Sequence, residues 1–218
     1  MTKQSNPPWN PEGKPSPAHY WEDDKGFQRI YRKVRDISVC DIHRLYMIWQ
    51  IVGAVSTMQG QIAEVGVYKG GSAQLILETT KRKIVYLFDT FEGFPEQKYD
   101  GNIDWNTPGK TKADYKEVKR RLSRYTNCVL AKGIFPDEVE PPDTIRFAFV
   151  HIDVDLYQST LDCYEYFYPR MVRGGFMVCD DYGFWGTTGT KQAIDEFFED
   201  KPEYPMYLQS GQSLVMKM

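Results

Sequence analysis

The chain has few histidines, no cysteines at paired spacing and only a small net charge. Its 218 residues include three histidines and four cysteines, and the formal net charge is −3. The cysteines show no paired spacing, and no Cys/His set with the spacing of a zinc site is visible. This pattern favours free thiols in a reducing, cytoplasmic compartment. The near-balanced charge gives no sign of a nucleic-acid partner or of an anionic membrane surface.

Long apolar runs are also absent from the sequence. No stretch approaches the length of a membrane span, and the N-terminal residues hold no signal-peptide core, so no membrane partner is expected. Residues 1–18 contain five prolines and little apolar content, which predicts a disordered or loosely attached arm. Residues 19–218 suffice for a single α/β domain. Aromatic side chains, at 15%, are abundant enough to fill a core and line a pocket for a ringed or sugar-like ligand.

From residue 61 onward, apolar runs of strand length alternate with segments of helical period. The predicted strands are residues 61–66, 83–89, 127–131, 146–152, 175–179, 206–209 and 213–218, and the helices between them are predicted at 72–80, 112–125, 159–170 and 190–199. Two further helices are predicted within residues 19–58, the second with Asp41 as its N-cap. Residues 91–111 show no clear period and are predicted to form a lid loop. The pattern predicts a doubly wound, seven-stranded, mostly parallel sheet with helices on both faces, a Rossmann-like α/β fold.

A glycine-rich turn follows the first predicted strand. It contains Glu64, Gly66, Gly70 and Ser72, and it matches neither the dinucleotide pattern G-x-G-x-x-G nor the Lys-Ser/Thr ending of a phosphate loop. A carboxylate before the first glycine suits an ammonium group, and Asp89 at the end of the second strand suits ribose hydroxyls. Together they favour a nucleoside with a cationic amino-acid tail, as in S-adenosylmethionine. A tight turn with a helix cap is the alternative.

Two later apolar runs end in carboxylates. Asp153 and Asp155 follow the strand at 146–152, and Asp180 and Asp181 follow the strand at 175–179. Since the carboxyl ends of parallel strands open into one crevice, these four groups would repel one another unless a cation or a substrate needs them there. Mg²⁺ binds a few carboxylates together with water and substrate oxygens. Asp153, Asp180 and Asp181 are therefore candidate metal ligands.

A hydroxyl bound beside such a cation would become more acidic. Asp155 or His151 is then the candidate to take its proton. Three simpler interpretations stay open: Asp155 as the cap of the following helix, the adjacent acids Asp180 and Asp181 as a solvated turn, and His151 as a satisfied core histidine.

These motifs together resemble those of the macrocin O-methyltransferase family, a group of class I S-adenosylmethionine-dependent enzymes. The resemblance covers about residues 62–200. It rests on Glu64-x-Gly66-x-x-x-Gly70-x-Ser72, Phe88-Asp89-Thr-Phe-Glu-Gly93-Phe-Pro95, Lys132-Gly133-x-Phe135-Pro, His151-Ile-Asp153-x-Asp155-Leu-Tyr157-x-Ser159-Thr160 and Asp180-Asp181-Tyr-Gly183. The last two motifs are specific, whereas the first occurs in many methyltransferases.

The resemblance implies methylation of a sugar hydroxyl, with a vicinal diol as the favoured acceptor, on a natural product or glycan precursor. It implies S-adenosylmethionine and Mg²⁺ as cofactors, with the metal on Asp153, Asp180 and Asp181. The resemblance does not assign the catalytic base, for which Asp155 is preferred over His151. It places S-adenosylmethionine against Glu64, Gly66, Tyr68, Ser72, Asp89, Gly133, Phe135 and Asp153. A homodimer or higher homo-oligomer is also favoured.

Two other functions compete with this one. Catechol and phenol O-methyltransferases share the glycine loop and the Asp-x-Asp motif, but their second metal motif normally reads Asp-Asn, where this chain has Asp180-Asp181. The additional carboxylate suits a less acidic sugar diol. A non-catalytic binder or a nucleotide-sugar oxidoreductase on a similar sheet is the other alternative, and the departure from G-x-G-x-x-G argues against a dinucleotide.

Overall fold

Seven strands in the described part of the chain form one mixed sheet in the computed structural model, which describes residues 19–98, 109 and 111–218. The strands are β1 Gln61–Val65, β2 Val85–Asp89, β3 Cys128–Lys132, β4 Phe147–Ile152, β5 Met171–Cys179, β6 Met206–Tyr207 and β7 Ser213–Met216. They lie in the order β3-β2-β1-β4-β5-β7-β6. Neighbours from β3 to β5 are parallel, and β7 is antiparallel to β5 and β6. The predicted fold class is confirmed.

Seven α-helices occur among the described residues: α1 Tyr20–Asp23, α2 Lys25–Val34, α3 Ile42–Ala54, α4 Gly71–Thr79, α5 Tyr115–Leu122, α6 Tyr157–Phe167 and α7 Thr188–Phe198. Asp41 caps α3 as predicted, accepting the N–H groups of His43 and Arg44 at 2.8 and 3.1 Å. Leu156 occupies the cap position of α6, so Asp155 is not its cap. The predicted arm and most of the predicted lid lie outside the described residues, although a short 3₁₀ turn spans Glu96–Lys98.

The two central strands are buried on both faces, as their continuous apolar sequences predict. Every residue of β4 is buried, and so are four of the five residues of β1. Their register places Glu64 beside His151, which in turn lies beside Val178 of β5. Two polar side chains therefore meet inside the sheet, close to the strand ends that carry the acids.

Helices cover both faces of the sheet. The first face carries α2 to α5 over a core that includes Phe27, Leu75 and Phe149, and the second carries α6 and α7 over a core that includes Phe147 and Tyr164. No helix in residues 19–98 or 111–218 is long and apolar enough to cross a membrane. The four cysteines are free.

A buried carboxylate fixes the C-terminal residues to the fold. Glu203 accepts hydrogen bonds from Lys217 Nζ at 2.6 Å, from the Tyr168 hydroxyl at 2.7 Å and from the Met218 N–H at 3.1 Å. Burial alone would raise the pKa of Glu203, but these three donors offset it and lower the pKa to about 2. The ionised carboxylate therefore stabilises the closing strands.

We expect Glu203→Gln to lower the free energy of unfolding by about 2 kcal/mol at pH 7, because it removes a charge with three donors. The pKa of Glu203 rises from about 2 in the folded protein to an ordinary value of 4.5 on unfolding. The contribution of Glu203 to the free energy of unfolding is therefore complete above pH 4.5 and is lost as the pH falls towards 2. In urea denaturation, the free energy of unfolding of Glu203→Gln should differ less from that of wild type at pH 3.5 than at pH 7. Glu165→Gln on the exposed surface of α6 is the control, and a pH-independent difference for Glu203→Gln would contradict this account.

Candidate active site

The carboxyl ends of the parallel strands open into a cavity of about 760 Å³. This is where open α/β sheets bind ligands, and the volume lies within the range of small-molecule sites, roughly 300–1,000 Å³. Its walls include a residue at or just beyond the end of each parallel strand: Gly66, Asp89, Gly133, Asp153 and Asp181. Strand topology thus gathers residues that are far apart in the sequence.

Gly66 lies against the backbone of the acidic loop. It has a φ of +91°, and a Cβ atom there would lie 1.8 Å from the Asp153 carbonyl oxygen. The Asp153 N–H donates to the Val65 carbonyl at 2.9 Å, so the ends of β1 and β4 are in direct contact. Only glycine provides both the left-handed backbone and this close approach.

Asp89 organises the glycine loop from the end of β2. One carboxylate oxygen accepts the N–H groups of Val67 and Tyr68 at 2.8 and 2.7 Å, and the other accepts the Phe91 N–H at 2.5 Å. Burial raises the pKa of Asp89 despite these bonds. Asp89 therefore shapes the loop as well as lining the cavity.

The structure separates the predicted cofactor residues into two groups. Six of them line the cavity: Gly66, Tyr68, Asp89, Gly133, Phe135 and Asp153. Ser72 is buried beside a small adjoining recess that Gly66 and Asp153 share. Glu64 is fully buried, with Oε1 2.8 Å from His151 Nδ1 and with no hydrogen-bond partner for Oε2 among the described residues. Glu64 and Ser72 thus lie behind the cavity wall.

Three carboxylates converge where the loops after β4 and β5 border the cavity. One oxygen each from Asp153, Asp155 and Asp181 lies within 4.8 Å of the others. Asp155 has a φ of +60°, unusual for a residue other than glycine, and its N–H donates to Asp181 Oδ2 at 3.1 Å. Burial and the neighbouring charges raise the pKa of Asp153 and of Asp181 well above the ordinary value, and that of Asp155 to about 7. Such a cluster is suited to a divalent cation, which offsets repulsion among carboxylates.

Asp180, adjacent to Asp181 in the chain, has its own set of partners, and with Cys40 and Asp153 it forms a second group whose possible ligand atoms lie within 4.8 Å of one another. It is fully buried, and its carboxylate accepts from Gln212 Nε2 at 2.6 Å, from Cys40 Sγ at 3.4 Å and from Arg44 Nη1. His151 Nε2 lies 3.3 Å from the same carboxylate. Burial alone would raise the pKa of Asp180, but His151, Arg44 and Gln212 lower it to about 2. Asp180 is therefore ionised and fully hydrogen-bonded.

His151 lies inside the sheet rather than on the cavity wall. Both of its ring nitrogens are engaged, Nδ1 with Glu64 and Nε2 with Asp180, and the residue is fully buried. Burial would lower the pKa of His151, but the two carboxylates more than offset it and raise the pKa well above the ordinary value. The surroundings are those of a satisfied core histidine, and of the two candidate bases the structure brings only Asp155 to the cavity.

Several site residues were not predicted from the sequence. Arg44 of α3 lines the cavity and contacts Asp180. At the start of α7, the Thr187 hydroxyl donates to the Asp181 carbonyl at 2.8 Å, and the Thr190 hydroxyl donates to the Asp155 carbonyl at 3.0 Å. These threonines hold the two acidic loops together, and no local sequence signal distinguishes them from ordinary helix-start residues.

Apolar side chains surround part of the cavity mouth. Val39, Phe184 and Trp185 line it with exposed fractions of 65%, 39% and 98%. Exposed aromatic rings at a cavity suit a flat or ringed ligand. Such a ligand would extend outward from the acidic triad.

The architecture is shared with solved O-methyltransferases. The O-methyltransferase NovP superposes with a TM-score of 0.71 at 24% identity over 84% of this chain and 82% of that one. The calicheamicin methyltransferase CalS11 superposes with a TM-score of 0.69 at 17% identity over 93% of this chain and 94% of that one. The fold is thus that of the class I, Rossmann-like methyltransferases. Residues 38–205 match the family described as Macrocin-O-methyltransferase (TylF), and the chain belongs to this family.

Curated relatives are named as methyltransferases of natural products. A Streptomyces olivaceus protein, "8-demethyl-8-(2,3-dimethoxy-alpha-L-rhamnosyl)-tetracenomycin-C 4'-O-methyltransferase", is 32% identical over 140 residues, 56% of this chain and 53% of the relative. "Mycinamicin III 3''-O-methyltransferase" of Micromonospora griseorubida is 30% identical over 146 residues, which are 56% of this chain and 55% of the relative. "Demethyldecarbamoylnovobiocin O-methyltransferase" of Streptomyces niveus is 27% identical over 173 residues, which are 72% of this chain and 65% of the relative. The chain therefore spans between about half and two thirds of the length of these relatives.

Proposed function

We propose that this chain transfers a methyl group from S-adenosylmethionine to a sugar hydroxyl of a small-molecule natural product or glycan precursor, with the help of Mg²⁺. The observation that carries the proposal is one cavity with two chemically different walls. A glycine loop organised by Asp89 forms one wall, and the triad of Asp153, Asp155 and Asp181 forms the other. A methyl donor and a hydroxyl acceptor would meet between them.

The residues of the first wall fit S-adenosylmethionine. Phe88 and Phe135 offer an apolar surface for a purine ring, and the carboxylate of Asp89 lies among them. Gly66 leaves no space for a side chain and brings the loop backbone to the cavity. A buried acid beside an apolar wall suits a ribose that carries a nucleobase.

The carboxylates of the second wall fit Mg²⁺, which prefers hard oxygen ligands. Asp153 and Asp181 would hold the ion, with Asp180 as the third predicted ligand. When bound, Mg²⁺ supplies a Lewis acid that lowers the pKa of an acceptor hydroxyl. A vicinal diol suits this role, because its two oxygens can complete an ion's shell.

Asp155 is the proposed proton acceptor. Its carboxylate lies in the cavity beside Asp153 and Asp181, within reach of a hydroxyl bound next to the ion, which is the geometric requirement for a general base. The Asp181 carboxylate and the Thr190 hydroxyl hold its backbone in the left-handed conformation. The hydroxyl proton goes to Asp155 while the oxygen attacks the methyl carbon and the sulfur departs. Alignment of these atoms contributes much of the rate.

The donor is tested by calorimetry with S-adenosylhomocysteine and, separately, with NAD. We expect binding of the first alone, and failure to bind S-adenosylhomocysteine would end the methyltransferase proposal. The acceptor is tested by transfer of labelled methyl groups to a panel of rhamnosylated polyketides and a panel of catechols. Activity confined to catechols would reverse the choice of acceptor.

Removal of the metal is expected to stop the reaction. Treatment with EDTA should reduce methyl transfer by about 10²-fold or more, because the loss of a Lewis acid costs several kcal/mol. Adding Mg²⁺ should restore the rate, and S-adenosylhomocysteine binding measured in the same EDTA buffer is the control for intact protein. An unchanged rate in EDTA would refute the role of Mg²⁺. The predicted homodimer remains a prediction that sedimentation analysis would check.

A further inference from the structure

Arg44 connects the N-terminal helices to the acidic strand ends. It lies in the first turn of α3, 136 positions before Asp180, and its Nη1 donates to Asp180 Oδ2. Its Nε donates to Asp41 Oδ2 at 3.1 Å, and its Nη2 donates to the Val39 carbonyl at 3.2 Å. The guanidinium carbon lies 5.2 Å from the centre of the Phe184 ring. One cation thus bridges α3, the end of β5 and the mouth of the cavity.

The charge of Arg44 has a particular place in this site. Four carboxylates gather here, at positions 153, 155, 180 and 181, and among the described residues Arg44 is the one lysine or arginine that contacts any of them. His151, the other cationic partner, lies inside the sheet and does not line the cavity. Arg44 is therefore the positive charge on the side from which a metal ion would arrive.

The hydrogen bonds of Asp180 engage both of its carboxylate oxygens. Oδ1 is engaged by His151 and Gln212, and Oδ2 accepts from Arg44, with the Cys40 thiol 3.4 Å away. The thiol is a weak donor and also lies 3.8 Å from Asp153 Oδ2, so its one proton serves one carboxylate at a time. A cation would therefore reach Oδ2 of Asp180 in competition with Arg44.

Arg44 is the one of these four donors that lines the cavity. His151 and Gln212 are fully buried and Cys40 is nearly so, whereas 15% of the Arg44 side chain is exposed. The guanidinium can also keep its bonds to Asp41 and Val39 when it leaves Asp180. Arg44 is therefore the donor that an ion entering this cavity would meet first.

We propose that Arg44 is an internal counter-cation that competes with the divalent cation for Asp180. It holds this carboxylate in the cation-free protein and gives it up when the cation binds, turning towards Phe184 and Val39 at the mouth of the cavity. The inference rests on the proposed cation site. Arg44 is a positioning residue, because it acts on the cation through Asp180.

The proposed competition predicts that removal of the Arg44 charge strengthens Mg²⁺ binding, whereas a loss of structure would weaken it. A positive charge beside the site weakens cation binding through both repulsion and occupation of a ligand, so neutralising it should strengthen binding. We expect calorimetry with Mg²⁺ to show at least about tenfold tighter binding by Arg44→Met and Arg44→Gln than by wild type, because like charges at this distance repel each other appreciably at a protein surface. Arg44→Lys keeps the charge and should bind much as wild type does.

Arg170→Met is the matched control. Arg170 also combines a carboxylate contact, to Asp143 at 3.0 Å, with a ring contact, to Tyr166 at 3.9 Å, but it touches none of the four acids. Its replacement should leave Mg²⁺ affinity unchanged. If Arg44→Met folds poorly, Arg44→Gln, which keeps a polar side chain but carries no charge, provides the test. Equal or weaker Mg²⁺ binding by the neutral Arg44 variants would overturn the proposal.

Failure of this inference can be separated from failure of the proposed function. S-adenosylhomocysteine binding and methyl transfer are measured on the same protein samples. If Mg²⁺ binds neither wild type nor the neutral variants, the counter-cation proposal falls. The methyltransferase proposal then stands or falls on the binding and transfer measurements alone.

Discussion

Asp153→Asn is expected to reduce methyl transfer by about 10³-fold or more. Asp153 belongs to both groups of possible metal ligands, one with Asp155 and Asp181 and one with Cys40 and Asp180. An amide of the same shape keeps the volume but removes the charge that the site most depends on. Loss of a cation ligand in a site of this kind costs several kcal/mol of transition-state stabilisation, which corresponds to this factor.

The measurements for Asp153→Asn are steady-state methyl transfer and Mg²⁺ calorimetry. Both the rate and the Mg²⁺ affinity should fall, whereas Asp155→Asn should lose the rate and retain most of the affinity. Asp143→Asn, at an exposed position paired with Arg170, should change neither. A rate for Asp153→Asn within about tenfold of wild type would show that this carboxylate is not a ligand.

Gly66→Ala is expected to cause the second large effect, on both stability and cofactor binding. The new Cβ would lie 1.8 Å from the Asp153 carbonyl oxygen and 2.7 Å from its carbonyl carbon. Because both neighbours are backbone atoms, the ends of β1 and β4 must separate. The left-handed φ adds strain for any residue with a side chain. We expect the free energy of unfolding to fall by about 3 kcal/mol or more, the range of severe core disruptions.

Urea denaturation and calorimetry with S-adenosylhomocysteine measure the two consequences of Gly66→Ala. Cofactor binding should become undetectable even under conditions where the variant is folded. Gly53→Ala is the matched control, because Gly53 lies in α3 and a Cβ atom there would meet nothing from outside its own helix within 4 Å. That change should stabilise the protein by about 0.5–1 kcal/mol through helix propensity. Wild-type cofactor affinity in Gly66→Ala would contradict the proposed contact between the two loops.

The sequence predicts those parts of the fold that depend on local patterns. Buried parallel strands appear as continuous apolar runs, and the cap of α3 follows from one aspartate before a helical period. Strand ends follow from the same apolar runs, so the sequence predicts the position of the cavity and eight of the residues that line it: Gly66, Tyr68, Asp89, Gly133, Phe135, Asp153, Asp155 and Asp181. The orientations of the adjacent acids Asp180 and Asp181 were harder to predict, since their different surroundings depend on how the chain leaves β5.

Contacts between distant segments could not be predicted from local patterns. The pairing of Glu64 with His151 depends on the register between β1 and β4, which apolar runs do not specify. Arg44 reaches Asp180 only because α3 packs over the strand ends, and a single arginine on a helix otherwise indicates a solvated surface. The sequence predicts Glu64 as a cofactor residue and His151 as a candidate base, but it does not indicate the hydrogen bond between them.

The contacts of Glu64, His151, Asp180 and Arg44 form a line of alternating charge through the protein. This alternation limits how the sequence can drift over evolutionary time. Changing His151 or Asp180 alone leaves its buried partner without a counter-charge, at a cost of about 3–5 kcal/mol. Residues in contact along this line are therefore expected to change together. Related sequences that lack a histidine at the position of His151 should also lack the acid at the position of Glu64.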